Sequence, residues 1–106
     1  MTVGAIFDEV ARRLAGEDSG LEQGRMFSSG GLKTANGKFC AFSKDNELVV
    51  KLPAERVSQL IANGEGRAFD AGKGRPMKEW VRLFPADEDA CAAYVCEARD
   101  FVAAGR

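Results

Sequence analysis

The chain has no histidine, and its three cysteines, Cys40, Cys91 and Cys96, form no Cys-x-x-Cys pair. These absences remove Ser-His-Asp and Cys-His catalysis, His-dependent zinc enzymes and zinc fingers, each of which needs a group missing here. Three thiolates would need an outside ligand to complete a zinc site. Cys91 and Cys96 are also five apart on a predicted helix, so they point in different directions. Buried, inert thiols are the expectation. Long apolar runs are lacking too, the longest falling far short of the roughly 20 residues of a membrane span. Near the start, Asp8 and Glu9 interrupt the apolar run that a secretory signal needs. A cytoplasmic location without membrane association is expected.

What is present is ordinary for a globular chain: 45% hydrophobic and 29% charged residues over 106 positions. That length suits a single domain, residues 1–106, with one modest core. The net charge of −1 predicts no bulk attraction to nucleic acid. The distribution is less even. Arg67, Lys73, Arg75, Lys78 and Arg82 face only Asp70 and Glu79 within residues 67–82, and Arg25, Lys33 and Lys38 have no acid among residues 24–38. If the two segments fold side by side they make a basic patch. Otherwise they are solvated charge.

Hydrophobic spacing predicts an α+β fold. Val3, Ile6, Phe7, Val10, Ala11 and Leu14 follow the stripe of a helix, with Thr2 as its N-cap and Gly16 suited to a left-handed C-terminal position. Strand-like segments follow: RMF, GLKT, KFCAFS and ELVVKL. Asn36-Gly37 is a type I′ hairpin signal, and Lys44-Asp45-Asn46 is a second, looser turn. In the last strand Leu48, Val50 and Leu52 share one face, with Glu47, Val49 and Lys51 on the other, as in a half-buried antiparallel strand. A second helix has Pro53 at its first position and ends at Asn63-Gly64. EWVRLF reads as a buried strand. Asp87 then caps a third helix whose stripe is Cys91, Tyr94, Val95, Ala98, Phe101 and Val102. Helices should pack on one face of a small, mostly antiparallel sheet.

The stretch FDAGKGRPMKEW, Phe69 to Trp80, superficially resembles a phosphate loop. A Walker A motif needs glycine where Arg67 stands and a hydroxyl where Gly74 stands, and it should open a helix, whereas a strand follows. Ser28 and Ser29 beside Gly30-Gly31 read as a turn, since GxSxG is not matched. No catalytic, cofactor-binding or metal-ligating residue is predicted. Met77 and Trp80 are expected to anchor the stretch, and Arg25, Lys33, Lys73, Arg75 and Lys78 are the candidate partner-binding residues.

Arg25-Met26-Phe27, Gly37-Lys38-Phe39 with Ala41, Leu48-Val49-Val50-Lys51-Leu52 and GRPMKEWVRL together resemble the N-terminal domain of the TfoX/Sxy competence regulators and their single-domain relatives. The resemblance runs over roughly residues 20–104. It implies an order α-β(3)-α-β(2)-α, with RAFDA as an additional strand. It also implies a role in natural competence, where the full-length proteins act with a cyclic-AMP receptor protein at promoters. The expected function is a non-enzymatic interaction module that binds a protein partner or a second copy, the latter through a free edge strand and EWVRLF. Direct nucleic-acid binding and binding of a small acidic ligand are the alternatives.

Overall fold

The structure is a computed structural model that describes residues 2–16, 20–26, 29–69 and 77–104, with the backbone alone at 25, 26, 29 and 30. Helix α1 (Val3–Gly16) opens on Thr2, whose hydroxyl accepts from the Ala5 N–H at 3.1 Å. Strands β1 (Leu21–Met26), β2 (Ser29–Thr34), β3 (Phe39–Lys44) and β4 (Glu47–Lys51) then form an antiparallel meander. Helix α2 (Ala54–Ala62), strands β5 (Gly66–Ala68) and β6 (Trp80–Leu83) and helix α3 (Glu88–Ala103) complete the order. The α+β class and the three helices are those expected. The first group holds four strands where the resemblance implies three, and Arg67 and Ala68 of RAFDA lie in β5, its Asp70 and Ala71 being outside the described residues.

The strands make one sheet in the order β1-β2-β3-β4-β6-β5. The last strand in sequence is thus inserted between β4 and β5, antiparallel to both. This is a split βαβ arrangement, with α2 carrying the chain across β6 to the edge. EWVRLF is therefore paired on both sides and is not a free strand for a second copy. Among the described residues the sheet edges are β1 and β5.

Alternation sorts the side chains between two faces. Leu48, Val50, Leu52, Val81 and Leu83 join the buried stripes of all three helices in one core with Leu21, Leu32 and Cys40. A bulge in β3 lets Cys40 and Ala41, adjacent in sequence, enter that core together, because Leu32 pairs Ala41 while Lys33 pairs Phe39. The other face carries a smaller cluster of Phe42, Val49 and Phe69, with Met77 and Trp80 packed against it. Strand β4 is accordingly buried on both faces, Glu47 and Val49 included, and not on one alone as its alternation predicts.

Local chemistry explains the ends. Asp87 accepts from the Ala90 N–H at 2.8 Å, and Glu88 and Asp89 stand in the first turn of α3. Pro53 is the N-cap of α2, one position before the expected one. At the other end Gly64, at φ +77°, donates to Ile61 O while Glu65 N–H donates to Leu60 O, a Schellman closure. The two hairpin turns exchange the expected geometries. Asn36-Gly37 lies in a three-residue loop closed by Thr34 and Lys38, with only Gly37 at positive φ. Asp45 and Asn46, at φ 53° and 62°, form the tight two-residue turn. Gly16 keeps a negative φ as the last residue of α1, and the positive angle belongs to Gly20. No helix among the described residues is long and apolar enough to cross a membrane.

Candidate functional site

The sheet face opposite the helices combines aromatic rings with paired charges. Phe42 sits at its centre, with the Phe69 ring edge-on at a centroid distance of 5.6 Å and the Trp80 ring tilted at 5.5 Å. Cations cap these rings: Lys44 Nζ is 5.9 Å and the Arg82 guanidinium 5.8 Å from the Phe69 centroid, and Lys51 Nζ is 6.0 Å from that of Trp80. Phe84, the most exposed of the large apolar residues among those described, lies under the Arg67 guanidinium at 5.6 Å.

Glu47 organises the charge. Its carboxylate accepts from Arg67 Nη2 at 2.6 Å and faces Arg82 Nε at 3.5 Å, while Arg82 Nη2 donates to Asp45 at 3.2 Å. Cross-strand register sets Lys44 opposite Glu47 and Lys33 opposite Glu22. Lys51 stands 4.0 Å from Glu79. Among the described residues, most cations of this face therefore have an acid beside them.

Of the predicted site residues, Lys33 lies half-buried on β2, and Lys78 is exposed in the turn before β6. Arg25 is on β1, its side chain outside the described residues, as are Lys73 and Arg75 altogether. Strands β3 and β4 separate β2 from β6, three strand spacings or about 14 Å. The described parts of the two basic segments thus lie on separate strands of the sheet, and Lys33 and Lys78 do not share one patch.

Beside β6 a groove of about 420 Å³ is lined by Lys51, Ala54, Met77, Lys78, Glu79 and Trp80. Its geometry is set by backbone pairing. Lys51 is opposite Trp80, Leu52 N–H donates to Glu79 O at 2.9 Å, and Trp80 N–H donates to Met77 O at 3.3 Å, so Lys78 and Glu79 form the corner of a turn. Met77 N–H donates to Phe69 O at 2.8 Å, tying the two ends of the segment that carries Lys73 and Arg75. Met77 and Trp80 anchor this segment as their sequence context predicts.

No family model, no curated protein and no solved structure matches the chain.

Among the described residues no group of three or more Cys, Asp or Glu is placed to hold a metal ion. Cys40 and Cys91 are buried, and burial pushes both thiols up to about 12, whereas Cys96 is half-buried. Lys51 and Glu47 were not singled out by the sequence as site residues. The alternation of β4 signals their shared face, but nothing local signals Trp80 and Arg82, which β6 brings beside them.

Proposed function

We propose that this chain is a non-enzymatic interaction module of the cytoplasm that binds a protein partner, as its resemblance to the N-terminal domain of the TfoX/Sxy competence regulators implies. The observation that carries this reading is the groove beside β6, where Trp80 and Met77 supply an apolar floor and Lys51 and Lys78 a charged rim. Tryptophan and methionine are the side chains enriched where proteins meet, and a floor held by backbone pairing loses little freedom on binding. Charge pairing weighs against nucleic acid as the partner. A polyanion gains affinity by releasing counterions from a run of unpaired cations, and here Asp45 and Glu47 already neutralise Arg67 and Arg82.

A photo-crosslinking amino acid at position 54, an exposed alanine that lines the groove, in cells expressing the chain, tests the reading. The expected outcome is a discrete protein adduct that disappears when Trp80→Ala is introduced. An absent adduct, or one indifferent to Trp80→Ala, overturns it. Fluorescence anisotropy with labelled DNA at low salt is the companion measurement, and binding that weakens on Lys78→Ala would replace a protein partner with nucleic acid.

A further inference from the structure

Building on that interaction-module reading, we propose that the groove beside β6 takes a short acidic peptide segment, with one large apolar side chain lying against Trp80 and Met77 and its carboxylates meeting Lys51 and Lys78. Size comes first. About 420 Å³ is at the small end of ligand clefts, so the groove admits a single anchoring side chain with a little of its backbone and not a second folded surface. Chemistry sets the anchor. Trp80, Met77 and Ala54 are apolar lining, and the thioether of Met77 adapts to irregular apolar or aromatic shapes.

Charge complementarity sets what flanks the anchor. Two ammonium groups, Lys51 and Lys78, rim the groove against one carboxylate, Glu79. Glu79 is only loosely engaged, at 4.0 Å from Lys51 Nζ, and no ion pair holds Lys78 among the described residues. A basic segment would be repelled here. A neutral one would bury the lysine stems without compensating their charge. A peptide with Asp or Glu beside its anchor matches both features, and it needs no long track of free cations of the kind a nucleic-acid strand follows.

The site is also preorganised. Phe42 supports the Trp80 ring from within the sheet at 5.5 Å, β4 fixes the Trp80 backbone opposite Lys51, and the turn closed by Trp80 N–H and Met77 O holds Lys78 at the rim. Little ordering therefore remains to be done on binding.

Trp80 is the only tryptophan of the chain, so its emission reports on this groove directly. The probes are the blocked peptide Asp-Glu-Phe-Glu-Asp, its alanine analogue lacking the anchor, its lysine analogue with the acids reversed, and a thymidine octanucleotide. Saturable change in Trp80 emission is expected with the first. Affinity should be lower by about tenfold or more for the two analogues, and for the Lys51→Ala/Lys78→Ala variant with the first peptide, a tenfold change being about 1.4 kcal/mol. Lys78→Glu alone, at an exposed turn position, should show the same loss should the double variant unfold. Equal binding of the alanine or lysine analogue, tighter binding of the octanucleotide, or silence with all four probes overturns the proposal. So does self-association of the chain that is lost on Lys78→Glu, because that assigns the groove to a second copy. Silent peptides with a persistent adduct from position 54 refute the acidic-peptide inference alone, whereas loss of both refutes the interaction reading as well.

Discussion

Glu47 holds its carboxylate between Arg67 and Arg82 at 5% exposure, while Arg67 itself stays largely in solvent. The asymmetry predicts unequal consequences. Glu47→Ala leaves the half-buried Arg82 with only the exposed Asp45 as a counter-charge, and a stability loss of about 1–3 kcal/mol is expected. Arg67→Ala removes a solvent-screened partner and should lose under about 1 kcal/mol. Urea unfolding of the two variants checks this, and equal losses would mean that Glu47 contributes no more than a surface acid. In sequence Glu47 is legible only as a polar residue on the second face of a strand. Its two arginine partners come from β5 and β6, which lie 20 and 35 positions further along the chain. Asn36 illustrates a different limit. Its type suggests a positive φ, but the structure uses its side chain: Oδ1 accepts from Lys38 N–H at 3.1 Å, and Nδ2 donates to Val102 O at 3.2 Å, joining the hairpin to the end of α3.

At the scale of elements, the β3–β4 hairpin carries the tight turn without glycine. Asn46 combines a φ of 62° with a side chain that accepts from the Gly4 N–H at 3.3 Å, at the start of α1. Asparagine tolerates the left-handed region, and alanine there is disfavoured by about 1–2 kcal/mol. Asn46→Ala should therefore lower stability by about that amount, whereas Asn46→Gly, which keeps the angle and loses only the exposed contact to α1, should stay within about 0.5 kcal/mol of the parent. Thermal melts of the two variants decide it, and identical melting temperatures would show that the turn angle imposes no strain. Helices α2 and α3 are joined by Arg56, whose Nε donates to Glu97 at 2.8 Å and whose Nη2 donates to the second oxygen at 3.4 Å. That bond holds the guanidinium in its charged form and raises its pKa. The helix stripes and the Thr2 and Asp87 caps were legible because both depend on residues three or four apart, whereas Gly16 does not take the left-handed conformation that its type suggests. The turn types were not, since Asn-Gly and Asp-Asn sequences are compatible with several loops and the strand register chooses among them.

Across the whole molecule, all three helices bury their stripes on one face of the sheet, and Cys40 and Cys91 lie in that core at no measurable exposure. Burial disfavours their thiolates and raises each from 9.0 to about 12. Between those values the unfolded chain binds fewer protons than the folded one, so stability is intact below about pH 9 and is lost as pH rises towards 12. Each thiol contributes a fall of about 1.4 kcal/mol per pH unit in that window. Urea unfolding at pH 8 and at pH 10.5 should show a drop that shrinks in a Cys40→Ala/Cys91→Ala variant, and an unchanged drop would mean that other groups govern alkaline unfolding. The opposite face is covered by no helix among the described residues and closes only over Phe42, Val49 and Phe69, leaving the groove at its margin.

The sequence by itself determined the α+β class, the three amphipathic helices with the Thr2 and Asp87 caps, the absence of histidine chemistry and the failure of the Walker pattern, because each follows from residue type and short-range spacing. Only the tertiary structure decided the strand order. Inserting β6 between β4 and β5 is a long-range pairing with no local signature, and it does two things at once. It sets Lys51 opposite Trp80 to build the groove, and it separates Lys33 on β2 from β6 by two strands. Arg67 and Arg82, which look like part of an unopposed run along the chain, are compensated in space, since strands distant in sequence bring Asp45 and Glu47 within 2.6–3.5 Å of them.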